Sequence, residues 1–241
     1  MIPFDRLHER LQEKAADASA RAVTYVAMGD SVTQGCMQAG VVEYENVYHQ
    51  FLRRAIERRY PETVVNVINS GVSGDAAEAS RRRWERDVLM YKPDLLTICF
   101  GHNDAHGGRD GLKPFVRALA DLMDRVADET EAEVLLMTPC MMMTEDNQHI
   151  AEIHKPLVPA FIQLAEEGTL ARYAEAVREL ASERNVPLLD VYARWEQMKQ
   201  DGLDIHDYLV NGINHPNPAF HKEWGQELEN RLFSSRLINH T

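Results

Sequence analysis

Cysteine is scarce: Cys36, Cys99 and Cys140 are the only three in 241 residues, an odd number with no CxxC pair. A disulfide framework is therefore not expected, and a reducing compartment is. No stretch approaches the ~18 consecutive apolar residues of a membrane-spanning helix. The first 21 residues are charged and periodic, with Phe4, Leu7 and Leu11 at helical spacing and no apolar leader. Neither a signal peptide nor a membrane anchor is expected there, so the chain is expected to be cytoplasmic and without a membrane partner. Positive charge is in deficit, with 26 Lys and Arg against 38 Asp and Glu and a net charge of −12. A polyanion such as nucleic acid would be repelled overall. The run Arg81-Arg82-Arg83 goes against this trend, but Glu78, Glu85 and Asp87 around it favour the solvated face of a helix over a phosphate patch. None of the ten histidines forms a zinc pattern such as HExxH, so no metal and no cofactor is expected. Repeats, low-complexity tracts and linkers rich in Pro, Gly or Ser are also missing.

What is present is the pattern of an ordinary globular α/β chain, 44% apolar and 27% charged. Its length suits one sizeable domain over 1–241, with 1–21 as an N-terminal helical extension. Five short runs rich in Val, Leu and Ile, at 22–28, 64–68, 94–100, 133–138 and 187–191, are nearly continuous rather than alternating. They read as strands buried on both faces. Segments of helical character lie between and after them, at 44–59, 76–90, 112–129, 170–185 and 219–234. Strand-helix alternation of this kind predicts a five-stranded parallel sheet, right-handed crossovers and helices on both faces, a three-layer α/β/α sandwich. Residues 140–169 exceed this minimal plan. They begin at the carboxyl end of the fourth strand and read either as a pocket-forming insertion, lined by Met141, Met142 and Met143, or as an extra helix at the sheet edge.

Chemistry concentrates at the strand ends. The first strand runs into Gly29-Asp30-Ser31-Val32-Thr33-Gln34-Gly35, which places a hydroxyl at the carboxyl end of a strand, where open α/β sheets put their ligands. Ser31 alone could equally be a helix cap or turn residue. The second strand leads into Asn69-Ser70-Gly71-Val72-Ser73-Gly74-Asp75 and the third into Gly101-His102-Asn103-Asp104. Asn214-His215-Pro216-Asn217 precedes the last helix. In this order the four segments resemble the four blocks of the SGNH (GDSL-type) hydrolase superfamily, with Ser31, Gly74, Asn103 and His215 at its named positions. The resemblance runs from about residue 22 to the end. It implies a flavodoxin-like sandwich with strand order 2-1-3-4-5, and a serine hydrolase.

A serine hydroxyl becomes a useful nucleophile when a histidine within hydrogen-bond reach takes its proton. His215, in a loop between Asn214 and Pro216, is the candidate base for Ser31. Acyl transfer also needs donors for the oxyanion. Gly74 can bring its amide close because it lacks a Cβ, the Ser31 amide joins it, and the third block implies the Asn103 side chain. Asn103 otherwise reads as a turn former. His102 and His106 flank that block as weaker candidates for substrate contact. Many family members carry Asp three residues before the histidine, where this chain has Gly212. A backbone carbonyl, Asn211, Asp207 or Asp204 is left to orient His215. Asp30, Asp75 and Asp104 are expected to bond nearby backbone amides. Arg83 and Trp84 are placed at the pocket rim or, for the indole, in the core.

The expected activity is that of a serine esterase cleaving small acyl groups, acetyl foremost, from carbohydrates or similar small esters through a Ser31 acyl-enzyme. Three alternatives stay open. One is a lysophospholipase or acyl-thioesterase of the same family, another a non-catalytic ligand-binding member. The third, a flavodoxin-like nucleotide binder, is disfavoured because Asp30 puts a carboxylate where phosphate would lie. A homo-oligomer is compatible with all of these readings.

Overall fold

The computed structural model describes residues 4–233. Residues 1–3 of the N-terminal extension and residue 234 of the last expected helix lie outside them. Among the described residues, β1 (Val23–Gly29), β2 (Val65–Gly71), β3 (Leu95–Cys99), β4 (Glu133–Met137) and β5 (Leu188–Leu189) form one sheet. All pairs are parallel and the order is β2-β1-β3-β4-β5, which is the expected α/β topology. β3 is buried at every position and β1 at all but one. Strands this continuously apolar need cover on both faces, and the helices supply it.

α1 (Asp5–Ala16) sends Leu7 and Leu11 into the core, and the Leu7 amide donates to the Glu133 carboxylate at 2.7 Å. The short α2 (Ser31–Gln34) follows β1 directly. α3 (Tyr48–Arg59) lies against α9 (Pro218–Phe233), with Tyr48 stacked on Trp224 at 4.7 Å. α5 (Gly108–Glu129) packs on α7 (Thr169–Glu183) through Phe115 and Tyr173. α6 (Val158–Glu166) lies in the long connection after β4.

Two segments depart from the sequence reading. Residues 76–90 do not form one helix. They form a 3-10 turn over Ala79–Arg83, the single turn α4 (Trp84–Asp87) and another 3-10 turn over Leu89–Tyr91. The Arg run is therefore not a uniformly solvated face. Arg83 is 3% exposed and points under the strand ends, whereas Arg81 and Arg82 lie outside. Trp84 is in the core. α8 (Val191–Gln200) was not anticipated from the sequence, although Asp190 caps it by accepting from the Ala193 amide at 3.1 Å.

The parallel register sets the site. β1 and β2 end level, Gly29 opposite Gly71, and β3 ends beside them at Cys99. α2 passes so close to the end of β2 that a Cβ on Gly71 would lie 2.1 Å from the Gln34 nitrogen. Only glycine permits that approach, and it sets the loop after β2 beside the turn after β1.

Candidate active site

Asp30, not Ser31, caps α2. Its Oδ1 accepts from the Val32 amide at 2.9 Å, which leaves Ser31 as the first helical residue with its hydroxyl free for other work. That hydroxyl meets His215, whose Nε2 lies 3.1 Å from Ser31 Oγ. On the other side of the ring Nδ1 lies 2.7 Å from the Met37 carbonyl oxygen. A carbonyl can only accept, so Nδ1 carries the proton. Nε2 is then the bare nitrogen and faces the serine as an acceptor. Burial pushes the His215 pKa down to about 4, further than the Met37 carbonyl raises it, with small contributions from His102 and His154. The imidazole is therefore neutral across the ordinary pH range.

The loop that carries His215 is tied from within. Asn211 Oδ1 accepts from the amides of Ile213, Asn214 and His215, each at 3.0 Å. Asn211 thus shapes the backbone without touching the imidazole. Asp207 faces His149 at 3.1 Å and Asp204 faces His206 at 2.7 Å. Among the candidates for orienting the ring, the backbone carbonyl is the one in contact with it. Met37 itself was not singled out by the sequence, because its side-chain identity plays no part in the contact.

The turn after β2 leaves specific donors over. The Val72 amide donates to Gly29 O, the Ser73 amide to Gln34 Oε1 at 2.6 Å and the Asp75 amide to Val72 O. Among the described residues, the Gly74 amide, at φ +77°, and the Ser31 amide have no such partner. The Asn103 side-chain amide donates one N–H to Asp75 O at 2.8 Å, which fixes the direction of its second N–H. Ser31 and His215 are thus in contact, the Gly74 loop is tied to Gln34 of the Ser31 helix through Ser73, and Asn103 is tied to that loop through Asp75 O. Gln34, which holds Ser73 in place, was missed in the sequence; it sits in the Ser31 segment, but its reach to the second loop is purely tertiary.

Several secondary expectations are corrected. Asp30 and Asp104 bond backbone amides as expected, Asp104 through Ala77 N at 2.9 Å. Asp75 instead binds guanidinium groups, Arg83 at 2.6 Å and Arg82 at 3.2 Å. Arg83 also donates to Gly29 O and Ser70 O, so it ties β1, β2 and the Gly74 loop together from below instead of standing at a pocket rim. His102 is buried and spends Nε2 on the Cys140 carbonyl at 2.8 Å, which removes it from substrate contact. His106 is exposed, edge-on to Phe161. Met141, Met142 and Met143 belong to the core and do not form an adaptable lining. The segment after them buttresses the histidine loop: Met143 N donates to Ile213 O, Thr144 N to His206 Nε2, and Asn147 Nδ2 to Gly212 O.

Comparison with known proteins agrees with this fold. The model of the GDSL-like lipase/acylhydrolase family matches residues 27–223. An acetylxylan esterase of Geobacillus stearothermophilus is 26% identical over 159 residues, covering 63% of this chain and 65% of that protein. The uncharacterized lipoprotein YqeF of Bacillus subtilis (strain 168) is 29% identical over 137 residues, 52% of this chain and 54% of the relative. The matched part thus spans less than two thirds of either relative. Among solved structures, an acetylxylan esterase of Geobacillus stearothermophilus superposes with a TM-score of 0.65 at 22% identity, over 88% of this chain and 94% of the other. Related structures of that enzyme are of catalytic mutants at a serine, a histidine and an aspartate three positions before the histidine. A two-domain esterase active on acetylated mannans gives a TM-score of 0.69 at 18% identity, over 98% of this chain and 54% of that one. At these identities the structural likenesses establish the fold.

Proposed function

The chain belongs to the GDSL-like lipase/acylhydrolase family, and on that premise we propose that it is a serine esterase that removes small acyl groups, acetyl foremost, from carbohydrate hydroxyls. The observation that carries the proposal is the alignment of Ser31 Oγ, His215 Nε2, His215 Nδ1 and Met37 O, at 3.1 Å and 2.7 Å. As Ser31 Oγ bonds to the ester carbonyl carbon, its proton passes to Nε2 of the neutral His215. The carbonyl oxygen becomes an oxyanion beside the Ser31 and Gly74 amides and the free N–H of Asn103. When the tetrahedral adduct collapses, the C–O bond to the sugar breaks and the leaving alkoxide takes the proton from His215. Water then repeats the sequence on the acyl-serine and releases the acid. Met37 O holds the imidazolium in place as a neutral acceptor and stabilises it less than a carboxylate would.

The carbohydrate acetyl assignment draws support from relatives described as acetylxylan and acetylated-mannan esterases. A lysophospholipase or thioesterase would need an apolar acyl channel, and the three methionines expected to line one are core residues. The test is hydrolysis of p-nitrophenyl esters from acetate to octanoate, with acetylated xylo- and manno-oligosaccharides alongside. Activity is expected to peak at acetate and to vanish in Ser31→Ala. His215→Ala should lower it by about 10²–10⁴, and Asn103→Ala by about 10²–10³. A peak at octanoate would transfer the assignment to lipids or thioesters. Equal rates in all four proteins would leave a ligand-binding member of the family.

A further inference from the structure

Three carboxyl groups lie beneath the nucleophile turn, Asp30, Asp75 and Asp104, all buried to 9% exposure or less. The buried cation beside them, Arg83, is committed to Asp75, with Arg82 on its outer oxygen. Asp30 and Asp104 therefore have no cation among the described residues. Asp30 uses Oδ1 on the Val32 amide and turns Oδ2 toward His102 Nδ1, 3.8 Å away. The other nitrogen of His102 lies 2.8 Å from the Cys140 carbonyl. That contact requires the proton to be on Nε2, so in a neutral ring Nδ1 is bare. It has no hydrogen-bond partner and is fully enclosed.

A bare, unpartnered ring nitrogen opposite a carboxylate oxygen is a repulsive arrangement in a dry interior. One additional proton converts it into an attractive one. We propose that Asp30 holds that proton at neutral pH, as a buried carboxylic acid directed at His102 Nδ1, and that the pair is a positioning device joining the Ser31 turn to the Asn103 turn. The placement follows from burial, which disfavours charge on both members. It pushes Asp30 up to about 7 and His102 down to about 4, so the acid is the member that keeps the proton. Asp75 adds to the rise at Asp30, and Asp30 in turn raises Asp104, Cys99 and Cys140. Every titratable group facing Asp30 thus either repels a second negative charge or, like His102, is itself neutral. The residues on either side of the pair are functional: Asp30 precedes Ser31, and His102 precedes Asn103. Loss of the proton would set Asp30 and His102 against each other and move the nucleophile relative to the oxyanion donor.

This inference takes Ser31 and Asn103 as read above, but its test does not depend on turnover. Infrared spectra of protein with carbon-13 in its aspartate carboxyls, recorded for Ser31→Ala and for Ser31→Ala/Asp30→Asn, isolate the Asp30 band. A protonated-acid carbonyl band at neutral pH, lost in the double variant and replaced by a carboxylate band in alkali, is expected. Absence of the acid band in mild acid, below the value of about 7 to which burial raises Asp30, would overturn the proposal. In the active enzyme, Asp30→Asn keeps an acceptor for Val32 N and offers N–H to His102, mimicking the acid, whereas Asp30→Ala does neither. The asparagine variant should exceed the alanine variant in kcat by about tenfold, the effect of one buried hydrogen bond, at similar KM. It should also lose the decline in kcat/KM expected of wild type as pH rises through neutrality and Asp30 gives up its proton. Equal kcat in the two variants, or an unchanged alkaline decline in Asp30→Asn, would refute the positioning role. His102→Gln, which keeps the donor to Cys140 O, reads the same coupling from the other side and should weaken the Asp30 acid band in pH titration.

Discussion

A carboxylate at position 212 would have to project from a backbone at φ +69°. Its Cβ would lie 2.7 Å from Asn147 Oδ1, Ile150 Cγ1 and Ile150 N. The space that a side chain at 212 would need is filled by the segment after β4, and the Met37 carbonyl takes the Nδ1 contact instead. Gly212→Asp is therefore expected to damage the site and not to complete a triad. The backbone strain alone costs ~1–3 kcal/mol, so both kcat/KM and the melting temperature should fall. A gain in kcat/KM would show that the loop can open to admit the carboxylate. The same neutral setting governs the acid side of the rate profile. Activity requires His215 unprotonated, and burial puts its protonation at about 4. The acid limb of kcat/KM should thus lie well below the ordinary histidine value of 6.5. A limb near 6.5 in the free enzyme would show that His215 is better solvated than its surroundings here indicate.

At the scale of elements, legibility follows the range of the interactions. The strands were readable because continuous Val, Leu and Ile runs need no partner to be recognised. The four loop segments were readable because they occur together in the chain order of the family's blocks, although Ser31 or Asn103 alone has a structural use as a cap or turn former. The broken helix at 79–91 was not, because its cause is tertiary: Arg83 is drawn inward by Asp75, Gly29 O and Ser70 O. In a linear reading an arginine beside two others is surface. The long connection misled for a related reason. Met141 to Met143 look like an adaptable lining, yet the strand ends enclose them, and the segment's role in bracing residues 211–215 depends on contacts more than 60 positions apart, such as Asn147 with Gly212. Arg83→Met tests the clamp. Removing one member of a buried ion pair strands the other, at ~3–5 kcal/mol, so denaturant midpoints should drop sharply. Because Asp75 also anchors Asn103, kcat on p-nitrophenyl acetate should fall in the fraction that stays folded. A loss below about 1 kcal/mol, the value of an exposed pair, would show that Asp75 is solvated when Arg83 is absent.

Across the whole molecule, buried titratable groups pull stability in opposite directions with pH. Burial lowers His49, His102 and His215 to about 4 and His221 to about 3 in the folded state, against 6.5 for a free imidazole. Between pH 6.5 and 4 the unfolded chain binds these protons and the folded chain does not, so stability falls as pH falls. Asp30 and Asp104 act oppositely. Raised to about 7 from 3.8, they keep protons in the folded state that the unfolded chain releases, so their contribution falls as pH rises. His106, also lowered by desolvation, adds to the imidazole side and Glu133, raised by burial, to the carboxyl side; the lowered imidazoles outnumber the raised carboxyls, so unfolding in mild acid takes up protons on balance. The enzyme should therefore reach its greatest stability near neutrality and lose it steeply in mild acid, even though His215 remains chemically competent there. His221 isolates the effect. It is wholly buried and stacks on Trp224. His221→Phe keeps the stacking and removes one titrating group together with the acceptor of the Tyr48 amide, a loss that lowers stability equally at every pH and leaves the slope as the readout. Urea unfolding measured from pH 4.5 to 7.5 should then show the acid-side slope reduced by about 1.4 kcal/mol per pH unit. An unchanged slope would mean that His221 is protonated in the folded state, and that its enclosure between α3 and α9 opens far more readily than the rest of the core.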